Sequence, residues 1–364
     1  MKIAIIASVA HRLPPTNYGP WEQIASTLAE GFVARGHDVT LFATSDSTTS
    51  AKLSATVPTG YEESAGVDAK VSEALHNAAV FERASDFDVI VNHFDFMPLT
   101  YSRLVATPMV TTIHGFSSEK IVPVYQAYND IAHYVAISAA NRHADLTYDA
   151  TIHHGIEISQ FSFVGTSGDY LLFFGRIHPE KGTHQAIEVA KRAGLPLVIA
   201  GIIQDEEYFR EQVEPHIDGD NVRFVGAVGP AERNRLLGGA RALLHLVGFA
   251  EPFGLSVVES LATGTPVIAT PLGSMPELIR NGKTGFLVSD IDEAVLRVGQ
   301  VETLDRKACR QDAVERFGAD RMIDDYLALL SKIVATPRST PVPVVSSAAP
   351  AAYASSTLFS HAGR

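Results

Sequence analysis

Short apolar runs bounded by Gly, Pro or His alternate along the chain with longer stretches whose apolar residues recur every three or four positions. The first run, Lys2-Ile3-Ala4-Ile5-Ile6-Ala7, is cut off by His11-Arg12 and reads as a buried strand. A polar segment, Pro14-Pro15-Thr16-Asn17-Tyr18-Gly19-Pro20, precedes an amphipathic helix over about Trp21 to Arg35. Gly36 stops that helix, and Val39-Thr40-Leu41-Phe42 is the second strand. A strand–helix–strand opening predicts parallel pairing. Residues 45–66 are rich in Ser, Thr and Ala and read as a loop. A helix to about Ala84 follows, then strands at Phe87–Val91, Pro108–Ile113 and Tyr134–Ile137, with Ser138 opening another helix.

The alternation resumes after residues 162–168, where Gly165 and Gly168 among small polar residues predict a hinge. Strand Tyr170–Phe174 leads into Gly175-Arg176-Ile177-His178-Pro179-Glu180-Lys181-Gly182 and a helix from about Thr183. Strands follow at Leu197–Gly201, Val222–Gly226 and Ala242–Leu246. In Glu251-Pro252-Phe253-Gly254-Leu255-Ser256-Val257-Val258-Glu259, Pro252 suits a first helical turn, because its missing N–H has no partner to lose. Leu255, Val258 and Leu261 repeat at helical spacing, Gly264 stops the helix, and Val267-Ile268-Ala269 is a buried strand. Gly273-Ser274 opens a short helix with Pro276-Glu277, Thr284–Val288 is a last strand, and three helical segments fill 291–334. The whole reads as α/β, with doubly wound domains at 1–165 and 166–335. The tail 336–364, rich in Pro, Ala, Ser and Thr and without periodicity, is expected to be disordered.

Composition narrows the partners. At 364 residues, 46 % apolar and 19 % charged, the chain has ample core for two domains. Its formal charge is −12, with nine Lys/Arg against seventeen Asp/Glu in residues 1–165, so neither nucleic acid nor an anionic membrane is an expected partner. A single Cys309 excludes an internal disulfide and a cysteine metal cluster. The apolar opening is too short for a signal segment, and no run approaches a membrane span, so a cytoplasmic location is expected.

Candidate chemistry gathers at strand C-terminal ends. From a helix beginning at Pro252, Glu259 projects from the second turn, about 12 Å along the axis from Glu251 at roughly 1.5 Å per residue. Carboxylates so separated can grip two ends of one long polar ligand, or simply sit where a helix start favours negative charge. The free N–H groups of Phe253, Gly254 and Leu255 offer donors to the same space. Lys181 at a helix N-terminus opposes the macrodipole, a conflict that a bound anion removes; with Arg176 it can hold a diphosphate. Gly19 follows the first strand, where a ligand can approach the backbone, but G-x-G-x-x-G is absent, which argues against a dinucleotide oxidoreductase. Asp86 and Asp88 stand at the wrong end of their strand for a ligand and read as loop residues. His114 follows a buried strand, a position that taken alone favours a structural role. His153 and His154 point to opposite faces, which disfavours a metal.

The Glu251/Glu259 pair with seven residues between, the Pro-Phe-Gly after the first, the Ala262-Thr263-Gly264-Thr265-Pro266-Val267-Ile268-Ala269 run and the Gly175–Gly182 segment resemble family 4 retaining glycosyltransferases over about residues 1–335. The resemblance implies the GT-B architecture, two Rossmann-like domains facing across a cleft, and hexose transfer from a nucleotide-diphosphate sugar without metal or other cofactor. It implies that Arg176 and Lys181 hold the diphosphate, Glu259 the ribose, and Glu251 with the backbone of Phe253 to Leu255 the sugar. His114 would contact the sugar from the opposing domain. Gly226 and Val228 would lie against the base, and Gly19 beside the donor, although Pro20 replaces the family's second glycine there. Tyr125 and Tyr128 are candidates to face the acceptor. UDP-glucose leads GDP-mannose as donor. The acceptor is left open among small molecules, saccharides and lipid-linked sugars. The Pro14–Gly19 and Phe42–Ser47 segments resemble a bacterial branch containing UDP-glucose:tetrahydrobiopterin glucosyltransferases. The alternatives are a nucleotide-sugar 2-epimerase of the same architecture and a sugar-binding protein without turnover.

Overall fold

The computed structural model describes residues 1–16 and 18–336, so the expectation for the tail falls almost wholly outside the described residues. A first sheet contains β1 (Lys2–Ala7), β2 (Asp38–Phe42), β3 (Lys52–Ser54), β4 (Val89–His93), β5 (Met109–Ile113), β6 (His133–Ala136) and β7 (Ala150–Thr151). Its order is β3-β2-β1-β4-β5-β6-β7, with every pair parallel. A second all-parallel sheet contains β8 (Leu171–Phe174), β9 (Leu197–Ala200), β10 (Val222–Gly226), β11 (Ala242–His245), β12 (Val267–Ala269) and β13 (Gly285–Leu287), in the order β10-β9-β8-β11-β12-β13. The strand order reverses between β1 and β4 in one sheet and between β8 and β11 in the other. Each reversal opens a crevice beyond the strands' C-terminal ends.

Helices cover both faces of each sheet, which explains the continuous apolar runs: Ile3 to Ala7 and Leu197 to Ala200 are fully buried. The last helix, Ala319–Ala335, packs with the first sheet. Its Met322, Tyr326 and Leu330 join Leu28 and Phe32 of helix Pro20–Ala34 in one core. The Tyr326 hydroxyl lies 2.7 Å from that of Thr112 on β5, and Arg35 pairs with Asp320 and Asp324 at the rim of the contact.

Several local expectations give way to longer-range contacts. The loop 45–66 contains the edge strand β3. No helix follows Ser138; residues 138–142 form a turn, because the Asn141 amide is held by the Ile113 carbonyl at 2.7 Å and the N–H groups of Ala139 and Ala140 bind a distant carboxylate. The expected hinge at 162–168 is fastened to the second domain. The Val164 N–H donates to Thr263, the Val164 carbonyl accepts from buried Arg306, and a Cβ on Gly168 would lie 1.7 Å from the Gly239 carbonyl oxygen. The chain passes between the sheets earlier, at 152–156.

Close docking of the last helix makes a testable demand. A Cβ on Gly31 would lie 2.3 Å from Cδ1 of Ile323. Gly31→Val should therefore destabilise the protein by about 1–3 kcal/mol through overpacking. An unchanged urea midpoint would show that the helix does not sit against residues 28–32.

Candidate active site

The two crevices face each other, and the residues following β8 and β11 line the second. Backbone contacts fix the loop at Glu251. Gly273 has φ +61°, and a Cβ there would come within 2.3 Å of the Glu251 backbone, so this approach requires glycine. The Ser274 N–H donates to the Glu251 carbonyl at 2.9 Å, and the Ser274 hydroxyl donates to that of Phe253. The helix begins at Leu255 rather than Pro252. Gly254 takes a left-handed φ of +101°, and the Phe253 ring turns inward onto His154 (5.1 Å) and Phe317 (6.1 Å), which keeps Pro252 to Gly254 off the helix axis. The N–H groups of Phe253, Gly254 and Leu255 have no acceptor among the described residues.

Glu251 and Glu259 have separate partners. The Glu251 carboxylate accepts a hydrogen bond from the Lys181 ammonium, with side chains only 11 % and 13 % exposed, and His245 Nε2 lies 3.6 Å away. Burial alone would raise this carboxyl; the His245 ring and the Lys181 charge reverse that and hold it at about 2. Lys181 ends the short turn Pro179–Lys181, and its ammonium also lies 4.7 Å from the centre of the Phe249 ring. Glu259 is buried and pairs with Arg233 at 3.0 Å; its carboxyl is raised by burial, against the pull of the arginine.

Arg176 hydrogen-bonds Gln204 and reaches a cleft of about 550 Å³. Ile202, Ile203 and Gln204 line it from the second domain, and His11, Thr16, Tyr18, Glu62 and Glu63 from the first. Gly226, with φ +71°, accepts the Gly201 N–H at 2.9 Å, and Val228 packs at the edge of the core that holds helix Leu255–Thr263. Gly19, with φ +148°, precedes helix Pro20–Ala34. A Cβ there would meet Pro15 at 2.8 Å and the Glu22 carboxylate at 3.0 Å.

The first domain's wall departs from expectation. His114 is buried in a row of three imidazoles: its Nε2 is 2.9 Å from His93 Nδ1, and its Nδ1 is 3.2 Å from His154 Nε2. Trp21 stacks on the same ring at 5.1 Å. Both ring nitrogens are thus engaged, and the expected sugar contact through the ring is unavailable in this arrangement. Tyr125, expected near an acceptor, is fully buried with its hydroxyl on Asp95, and Tyr128 lies under Arg103. Asp88 accepts the Lys2 N–H at 2.7 Å, a loop contact. Among the described residues, no three His, Cys, Asp or Glu side chains are grouped to hold a metal ion. Arg233, His245, Gln204 and His93 are the residues here that sequence reasoning missed. His245 ends a buried strand, as His114 follows one, and the same signal would have found it; nothing local marks the others.

Comparisons with known proteins agree with this geometry. A family model described as Glycosyltransferase Family 4 matches residues 22–160, and one described as Glycosyl transferases group 1 matches 157–314. A glycogen synthase of Mycobacterium tuberculosis is 32 % identical over 48 % of this chain, a match that spans only 44 % of that protein's length. An O-antigen chain mannosyltransferase C of Escherichia coli is 25 % identical over 88 % of this chain and 96 % of its own. The structure of Anabaena Alr3699/HepE in complex with UDP-glucose superimposes with a TM-score of 0.69, covering 91 % of this chain and all of that one at 18 % identity, which bears on fold alone.

The imidazole row sets a pH dependence. Burial holds His93 and His154 at about 3, and pushes His114 well below the ordinary 6.5. Because the folded values lie below the unfolded one, the unfolded chain binds more protons as pH falls. Stability is full above about 6.5 and declines toward 3, by about 2 kcal/mol for each such histidine between pH 8 and 5. Denaturant midpoints should fall accordingly, with imidazole ¹⁵N shifts showing all three rings neutral at pH 5. A protonated ring in the folded protein at pH 5 would contradict this.

Proposed function

The chain belongs to the family 4 glycosyltransferases, and we propose that it transfers a hexose from a nucleotide-diphosphate sugar with retention of anomeric configuration and without a metal ion. The observation that carries this reading is the buried Lys181–Glu251 pair beyond β8 and β11, with Arg176 opening onto the facing domain. In this reading the donor's diphosphate lies between Arg176 and Lys181. Cleavage of the bond from the anomeric carbon to phosphate leaves charge on the departing diphosphate, and the two cations stabilise it where it develops. The acceptor hydroxyl attacks the anomeric carbon on the face the phosphate leaves, and its proton passes to a phosphate oxygen.

Glu251 is ionised beside Lys181 and His245 while that pair stands. It orients sugar hydroxyls and holds Lys181 until the diphosphate arrives. The open N–H groups of Phe253 to Leu255 complete the sugar end. Glu259 and Arg233 receive the ribose, and the turn from Gly226 to Val228 the base. Gly19 and the wall built on His114 close the donor from the first domain, with the acceptor entering beside His11 and Tyr18. UDP-glucose is the first donor to test and GDP-mannose the second, in view of the HepE complex and the mannosyltransferase relative.

Separate partners for the two glutamates predict separate phenotypes. Glu259→Gln should weaken binding of free UDP, or of GDP if that is the nucleotide, by about tenfold to a hundredfold, the 1.5–3 kcal/mol of a charge-assisted hydrogen bond. Glu251→Gln should not weaken nucleotide binding, since it frees Lys181 for the phosphates, yet turnover should fall. Calorimetric titration beside steady-state kinetics reads both; equal loss of nucleotide affinity in the two variants would mean one undivided site.

A further inference from the structure

We infer that Glu277 is a positioning residue, a latch that fastens the first domain to the loop bearing Glu251. Its kinetic consequences rest on the glycosyl-transfer reading above. Glu277 lies on the short helix Met275–Leu278 of the second domain, outside the donor contacts just described. Its two carboxylate oxygens accept from consecutive backbone N–H groups of the first domain, Ala139 at 2.9 Å and Ala140 at 2.8 Å. Nε2 of His153, on the crossover, is 3.0 Å from the same carboxylate. One residue earlier, the Ser138 hydroxyl donates to the Pro252 carbonyl at 2.7 Å, immediately after Glu251. Gly115 abuts the same proline, and a Cβ there would lie 3.1 Å from Pro252 Cγ. The turn after β6 is thereby tied to the second domain at two points, one on the Glu251 loop and one beside it.

Two adjacent N–H groups pointing one way form an anion site, and a carboxylate supplied by the other domain satisfies both with charge-assisted bonds. Burial acts to raise the Glu277 carboxyl, but the two N–H groups and His153 more than offset it and hold it below the usual range. Arg316 steadies the latch from behind, donating to the Glu277 carbonyl and to Asp312 while lying over the Phe317 ring. The Glu277 and His153 side chains are still 23 % and 25 % exposed, so water can replace each contact. A pair still reached by water adds modestly to stability. It suits a fastening that must part and re-form as ligands enter and leave a cleft.

Glu277→Ala, with Glu277→Gln as the variant that keeps one acceptor oxygen, tests the latch. The alanine variant should lower kcat about tenfold to a hundredfold by misplacing the two walls. It should leave calorimetric affinity for UDP or GDP and the melting temperature unchanged, and enlarge the radius of gyration with nucleotide bound; the glutamine variant should fall between. Unchanged kcat in a folded alanine variant overturns the inference. So does a parallel loss of nucleotide affinity and melting temperature, which marks a merely structural residue. Should the alanine variant not fold, Glu277→Gln and Ser138→Ala carry the same comparison. A wild-type protein that binds no nucleoside diphosphate removes the donor reading instead, and equal radii for wild type and variant then overturn the latch on their own.

Discussion

A carboxylate and an ammonium buried together at the bottom of a cleft constrain everything around them. Removing each from water costs several kcal/mol, and only close pairing offsets that cost. The backbone accordingly spares no room. A Cβ on Gly182 would lie 2.0 Å from the Leu246 carbonyl oxygen, and one on Gly273 would lie 2.3 Å from the Glu251 backbone. These contacts bring the loops after β8 and β11 together, so that Lys181 and Glu251 meet at the point where the sheet's winding reverses. In the proposed reading this pair is poised rather than satisfied: an arriving diphosphate would offer Lys181 a second anionic partner, and the freed carboxylate would turn to sugar hydroxyls.

The opposing wall follows a different principle. His93, His114 and His154 are buried, which favours their neutral forms, and hydrogen-bond to one another, with His93 Nε2 and His154 Nδ1 left without partners among the described residues. The row couples β4, β5 and the crossover to Phe253 through His154. Adjacent His153 faces Glu277. The crossover thus touches the first domain's wall with one imidazole and the second domain's latch with the next, while the last helix returns to bury Tyr326 on the first sheet. Two domains that meet across a cleft are held in register by residues from three distant parts of the chain.

The sheets were legible in the sequence because their strands are covered on both faces, leaving apolar runs such as Ile3 to Ala7 that few other structures accommodate. Arg176, Lys181, Glu251 and Glu259 were legible because local motifs carry them on strand ends and a helix start. What escaped depends on contacts between distant residues. Gly165 and Gly168 have the composition of a hinge, but Thr263, Gly239 and Arg306, some 70 to 140 positions later, fasten that segment. Ala139 to Arg142 have helical propensity, but Glu277 takes the N–H groups of Ala139 and Ala140. Pro252 favours a helix start, and the left-handed Gly254 overrules it. For His114 the family resemblance implies a sugar contact, while its two imidazole partners come from β4 and the crossover and leave no local mark, and Arg233 is marked by nothing until the fold sets it beside Glu259.

We propose that the protein's own cations, not a metal ion, carry the charge of the departing diphosphate. The most direct measurement is the turnover rate of UDP-glucose, or of GDP-mannose if that is the donor, by wild type and Lys181→Ala in excess EDTA. Wild type should keep its full rate in the chelator, while the variant loses about a hundredfold to a thousandfold, the usual cost of one electrostatic stabiliser. Activity abolished by EDTA and restored by Mg²⁺ or Mn²⁺, with Lys181→Ala as fast as wild type, would contradict it.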